Sequence, residues 1–266
     1  MNTLVNTLNE APVVFISGGA AGIGRTLAQQ FLAAGYRAHV ADVNPAAVEQ
    51  FLQENPGASG SVCDVGDSRQ VDAAFDDTQA RYGRLDVLVN NAGIAGPIGP
   101  VETLDPIAWE RTIAVDLNGQ FFCARRAVPL LRAAGGGCII CIASTAGLFG
   151  CPQRAPYTAA KWAIVGLVKT LAMELGPARI RVNAICPGSV SGPRIDGVIE
   201  RDAASRGLPP QRIRELYLRQ TSMRTFIDAE DVAAMALFLV SPAGAKISGQ
   251  ALAIDGHTEG FSDWLD

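Results

Sequence analysis

The stretch Val13-Val14-Phe15-Ile16-Ser17-Gly18-Gly19-Ala20-Ala21-Gly22-Ile23-Gly24 decides the fold. Four apolar residues run into a glycine-rich turn, after which Arg25 to Ala34 carries apolar residues at helical spacing. The pattern predicts strand, tight turn and helix, the opening of a βαβ unit. Glycines let the backbone bend sharply and approach a ligand closely. The free amides and dipole at a helix start favour negative charge, so the turn suits a diphosphate-bearing cofactor. A glycine-rich turn alone is weak; its place between a first strand and a first helix gives it weight.

The chain continues in the same alternation. Ala38 to Ala41 predicts a second strand ending at Asp42, eighteen residues beyond Gly24. A carboxylate there is placed to accept hydrogen bonds from the ribose hydroxyls of an adenosine and to repel a 2′-phosphate. No arginine or lysine occupies the turn or the residues just after Asp42, so NAD is expected over NADP. Gly60 to Cys63 predicts a third strand, with Asp64-Val65 at its polar end and a helix over Val71 to Tyr82. Asp64 suits an adenine amine and, equally, a turn or helix cap. Leu85 to Val89 ends in Asn90-Asn91-Ala92-Gly93, a tight turn at a strand's carboxyl end, where ligands lie in a doubly wound sheet. A long helix from about Asp105 to Arg132 passes Asp116-Leu117-Asn118-Gly119. Cys138 to Ile142, Ile180 to Ile185 and Ala251 to Ile254 complete seven strands. The expectation is a single α/β domain over residues 11–256, a Rossmann-like, doubly wound, seven-stranded parallel sheet. Residues 1–10 and 257–266 read as tails, and 189–226 as a helical lid over the substrate.

The chemistry is expected between Ser144 and Lys161. Tyr157 and Lys161 stand at i and i+4, one helical turn apart on one face. A tyrosine titrates near 10, too high for a base near neutral pH, and an adjacent ammonium lowers that value by favouring the phenolate. Ser144 sits just past the fifth strand. The helix that follows is rich in alanine and glycine, which suggests partial burial against a second copy, so a homo-oligomer is expected, a dimer or a tetramer.

Composition narrows the partners. With 266 residues, 48% of them hydrophobic and 18% charged, the chain can bury a large core. A net charge of −4 and a pI near 5.3 give no attraction to nucleic acid or to an anionic membrane. No run of about 18 apolar residues offers a membrane span, and the first ten residues lack the pattern of a secretory signal. Six cysteines without such a signal read as reduced thiols in the cytoplasm. Cys138 and Cys141 share an apolar strand and point to opposite faces, so they form no metal or redox pair. The two histidines, His39 and His257, lie in no cluster with metal-ligand spacing, and no metal site is expected.

Taken together, the glycine turn, Asn-Asn-Ala-Gly, Ser144, Tyr-x-x-x-Lys and Pro187-Gly188 closely resemble the short-chain dehydrogenase/reductase family over roughly residues 11 to 256. The resemblance implies that Gly18, Gly22, Ile23 and Gly24, with Ser17 at the head of the turn, line a pyrophosphate. It places Asp42 on the ribose and Asp64 and Val65 beside adenine. It further implies that Asn91, Ala92 and Gly93 support the middle of the cofactor, and that Pro187, Gly188 and Val190 border the nicotinamide. In the implied mechanism Tyr157 takes the alcohol proton, Ser144 holds the substrate oxygen, and Lys161 binds the nicotinamide ribose and lowers the tyrosine pKa. Two departures stand out. Asp116 replaces the asparagine usual in Val-Asn-Leu, so the fourth catalytic position falls to an aspartate, and Gly192 stands where a threonine commonly meets the nicotinamide amide. The resemblance therefore implies an NAD-dependent enzyme interconverting a secondary alcohol and a ketone. A reductase of 3-oxoacyl thioesters or other ketones is the alternative within enzymes, and a catalytically idle NAD sensor or scaffold the alternative outside them. Seven arginines against four acids in residues 189–226 point to an anionic group on a small-molecule substrate, with Arg154 a further candidate contact.

Overall fold

The computed structural model describes residues 11–258. The expected tail at residues 1–10, and all of the C-terminal one beyond residue 258, lie outside the described residues. The apolar run becomes β1 (Val13–Ser17), buried along its whole length. Gly18, at φ 60°, turns the chain toward α1 (Gly22–Ala33). Then follow β2 (Arg37–Asp42), α2 (Pro45–Glu54), β3 (Ser59–Val62), α3 (Ser68–Tyr82) and β4 (Val87–Asn90). The second half runs α4 (Pro106–Ile113), α5 (Gly119–Ala133), β5 (Gly137–Ile142), α6 (Ala155–Leu175), β6 (Ile180–Pro187), α7 (Pro193–Arg206), α8 (Pro210–Arg219), α9 (Ala229–Val240) and β7 (Ala251–Ile254).

The strands form one sheet in the order β3-β2-β1-β4-β5-β6-β7, with every pairing parallel. The order reverses between β1 and β4, and in such a sheet the crevice outside the carboxyl ends at that switch is the binding place. Parallel strands covered on both faces read as continuous apolar runs. Phe15, Leu88, Ile139 and Val182 face α3, α5 and α6, while Val14, Ile16, Val89 and Ile140 face α1, α2 and α9. Cys141 joins the first of these cores and Cys138 the second, as the period of two requires.

Two expectations change, over the long helix and over the start of the C-terminal tail. The long helix from Asp105 is two helices joined by a π turn at Ala114–Asn118, which carries Asp116 inward to full burial. The segment expected to be a helical lid forms a hairpin of α7 and α8 with a small core of its own, built from Ile199, Ala203, Ile213 and Leu216. A single parallel bridge between Val190 and Ile227 closes its base. The C-terminal tail does not begin at residue 257: Asp255 accepts the amides of His257 and Thr258, Thr258 is buried, and His257 meets the Ser222 hydroxyl. Among the described residues no helix is long and apolar enough to cross a membrane.

Candidate active site

The carboxyl ends of β1, β4, β5 and β6 open into a cavity of about 940 Å³ that residues of α7 and α8 also line. One half is shaped by backbone. Gly18 and Gly22 hold positive φ angles, and α1 begins without a side-chain cap, so its first amides keep their hydrogen-bonding capacity. Beside Gly22 there is no atom within 4 Å of where a Cβ would stand, whereas a Cβ on Gly24 would fall 1.9 Å from the Gly18 carbonyl oxygen. Helix and turn therefore touch at Gly24, and the open side of the turn faces the cavity. This uncapped helix start above a glycine cradle fits a diphosphate.

Ser17 and Gly24 lie under the turn and do not line the cavity. The Ser17 hydroxyl accepts the amides of Asn91 and Ala92 at 3.0 and 3.1 Å, and the Asn91 side-chain amide donates to the carbonyls of Ser17 and Gly18. The two loops at the switch point are thus sewn together, which leaves Ser17 a scaffold role in place of direct ligand contact. Gly18, Gly22, Ile23, Asp42, Asp64, Val65, Asn91, Ala92, Gly93, Pro187, Gly188 and Val190 all line the cavity. Asp42 is fixed by the amides of Ala20 and Asn44. Asp64 is held by Arg111 at 2.8 Å and accepts the Gly66 amide, while Asp67, not Asp64, caps α3.

At the centre, β5 delivers Ser144 and the first turns of α6 deliver Tyr157 and Lys161. The Ser144 hydroxyl accepts the Ala146 amide at 3.2 Å and hydrogen-bonds to the Tyr157 phenol. Lys161, 3% exposed, donates from Nζ to the Ile142 carbonyl at 3.2 Å, and its ammonium lies 5.4 Å from the centroid of the Tyr157 ring. Burial opposes ionisation of the phenol, but Lys161, Arg194 and the Ser144 bond outweigh it and hold the tyrosine below its usual range. Asp116 lies behind this pair. Its Oδ1 accepts the Ile94 amide at 2.7 Å, and its Oδ2 sits 3.8 Å from Lys161 Nζ without a hydrogen-bond donor. Burial pushes its carboxyl above the ordinary carboxylate range against the pull of Lys161 and the Ile94 amide. All four candidate catalytic residues converge, and Asp116 reaches the site through Lys161.

Within the segment 189–226 Arg206 pairs with Asp202, Arg212 with Glu215 and Arg214 with Asp196, pairs that engage three of its seven arginines. The cations that matter are Arg154, whose guanidinium lies over the Tyr157 ring 4.6 Å from its centroid, and Arg194, which donates to the Gly93 carbonyl. Sequence reasoning singled out Arg154 from its closeness to Tyr157, and counted Arg194 among the seven arginines of residues 189–226 without distinguishing it from the rest. No group of metal-ligating side chains occurs among the described residues. The six cysteines are free, and burial pushes the thiols of Cys63 and Cys141 up to about 12.

This arrangement has counterparts in known proteins. A family model described as enoyl-(acyl carrier protein) reductase matches residues 18–258. The trans-4-hydroxycyclohexanecarboxylate dehydrogenase of Sinomonas cyclohexanicum is 40% identical over 254 residues, covering 92% of this chain and 91% of that protein. Among solved structures, an actinorhodin polyketide ketoreductase with NADPH superimposes with a TM-score of 0.89 at 30% identity, covering 92% of this chain and 96% of that one. An NAD+-bound xylitol dehydrogenase gives 0.88 at 27% identity, with 92% and 98% covered. With the glycine turn, the serine and the Tyr-x-x-x-Lys pair placed as described, the chain belongs to the short-chain dehydrogenase/reductase family.

Proposed function

We propose that this oxidoreductase, which interconverts secondary alcohols and ketones, prefers NAD and uses Tyr157 as its acid and base. The observation that carries the proposal is the Tyr157 phenol held between the Ser144 hydroxyl and the Lys161 ammonium. In the oxidation direction the substrate hydroxyl lies against Ser144 and Tyr157, and the phenolate takes its proton as the carbonyl forms. Bound NAD would supply a hydride acceptor for the carbinol carbon. Lys161 keeps the phenolate stable between turnovers, and Asp116 positions Lys161 through the π turn.

The nucleotide preference rests on Asp42, since solved relatives carry NAD+ in one case and NADPH in another. Arg25, a cation near the turn, is engaged by Glu54 on α2 and so is not free to meet a 2′-phosphate. Exposed Phe121 on α5, with Trp162 and Met173 on α6, supports a homo-oligomer through that face, and the protonated thiols support a reducing compartment, the cytoplasm. A panel of diols, hydroxy acids, sugars and cyclic alcohols, followed by NADH formation, tests the activity. Tight NADH binding with no turnover across that panel would turn the assignment to an idle sensor.

A further inference from the structure

Among the described residues two arginines that line the cavity, Arg154 and Arg194, have no carboxylate partner, and Arg154 lies directly over the ring of the reacting tyrosine. Among the described residues the Arg154 guanidinium makes a single hydrogen bond, from Nη2 to the Ala95 carbonyl at 3.2 Å, and its Nε–H is buried without an acceptor. A guanidinium carries five N–H donors, so most of its capacity is unspent. It forms no ion pair there, in contrast to Arg206, Arg212 and Arg214. Its place is fixed on one side by the Tyr157 ring. On the other side it lies near Tyr217 and Cys151, whose ionisation its charge influences.

We infer that Arg154 is a carboxylate subsite and that the substrates are hydroxy acids and their oxo acids, with the acid group a few bonds from the carbinol carbon. The inference rests on the dehydrogenase assignment above and adds the class of substrate. Three points favour a carboxylate over other anions. A planar fork of donors matches two coplanar oxygens in a bidentate pair. The neighbouring Arg206 is held by Asp202, so Arg154 alone presents its charge at this point of the wall, which suits a monoanion better than a phosphate. The walls nearby, Ile98, Val198, Leu216 and Tyr217, are apolar or aromatic and suit a hydrocarbon spacer or ring. Arg194, the other cation without a carboxylate partner, donates to the Gly93 carbonyl at 3.3 Å, where the nucleotide half begins, whereas Arg154 lies over the Tyr157 ring. The guanidinium lies 4.6 Å from the centroid of the reacting tyrosine's ring, so the acid and the carbinol of one small molecule reach both groups together.

The test compares kcat/KM for the 3- and 4-hydroxycyclohexanecarboxylates with that for the matching carboxamides, in wild type, Arg154→Gln and Arg154→Lys. The wild type is expected to prefer an acid over its amide by at least about tenfold, the scale of a charge-assisted pair. That ratio should fall close to one in Arg154→Gln and recover partly in Arg154→Lys, a pattern that loss of packing alone would not give. Calorimetry of cyclohexanecarboxylate with the NADH-loaded protein supplies a readout independent of turnover, with binding weakened at least about tenfold in Arg154→Gln. A wild type indifferent to the acid, or an Arg154→Gln chain that keeps the preference, overturns the subsite while leaving the dehydrogenase intact. Should no alcohol turn over, the dehydrogenase assignment fails instead, and calorimetry alone decides the subsite: unchanged acid binding in Arg154→Gln rejects it.

Discussion

The two halves of the cavity are built by different means. On the nucleotide side the surface is backbone: the turn at Gly18 and Gly22, the start of α1 and the ends of β1 and β4, all fixed by close contact. On the substrate side it is side chain: Arg154 from the start of α6, Tyr217 from α8 and Ile98 from the loop after β4, each free to change without disturbing the sheet. A shared cofactor is met by geometry that tolerates little variation, and a particular substrate by side chains hung from a loop, a helix start and α8. The boundary between the halves is Tyr157, which faces the Lys161 ammonium on one side and Arg154 on the other.

Removing the boundary gives the largest effect. Tyr157→Phe leaves both halves in place and should lower kcat by about a hundred- to ten-thousand-fold, the range of general acid–base catalysis, with NADH affinity by fluorescence titration little changed. Retained turnover would move the base elsewhere. Gly24→Ala attacks the rigid half alone. Its Cβ would stand 1.9 Å from a backbone oxygen and 2.5 Å from the Asn91 side-chain nitrogen. Neither can yield without opening the Ser17–Asn91 stitch. Overpacking of this kind costs about 1–3 kcal/mol or somewhat more, visible as a lower midpoint in urea and a weaker hold on nucleotide. A similar substitution at Gly22, with open space around it, strains only the φ of 51° and should cost less. Next comes Asp42→Ala, expected to reduce the preference for NAD over NADP by about tenfold or more through the lost charge-assisted bonds to ribose. A ratio of specificity constants that does not move would place nucleotide choice outside β2.

The same contrast explains what could be read from the sequence. The strands, their parallel order and the nucleotide half were legible because the residues that make them are neighbours in the chain: a strand, a glycine turn, and an acid at the end of the next strand. Ser144, Tyr157 and Lys161 were legible for the same reason, lying within eighteen residues. The break at Ala114–Asn118 was not, since apolar spacing continues through it and a π turn carries no composition of its own. Nor was the pairing within the segment 189–226: the contact of Arg214 with Asp196, eighteen residues apart across two helices, depends on the hairpin. Arg194 was counted among the seven arginines, but its contact with the Gly93 carbonyl, 101 residues away, could not be read from the chain.

Asp116 lies on the boundary from behind, and its replacement should give the smallest and most diagnostic change. Lys161, Arg194 and Ser144 favour the phenolate of Tyr157, while the negative charge of Asp116 opposes it. The groups acting on Asp116 are Lys161, Arg154, Arg194 and the Ile94 amide, so a neutral side chain leaves three cations facing the phenol with no acid behind them. Asp116→Asn keeps an oxygen for the Ile94 amide and should hold the π turn. A base is active once deprotonated, so the rate of alcohol oxidation rises as pH climbs through the pKa of Tyr157. Removing the opposing charge lowers that pKa, and the rising limb of the kcat/KM profile should move to lower pH. If Asp116 acted only as a spacer for the helix break, the rate would change at every pH alike and the limb would stay. A limb displaced to higher pH would mean that the loss of Lys161 positioning outweighs the removed charge, which would assign the Asp116–Lys161 contact at 3.8 Å the larger share of the tyrosine's activation.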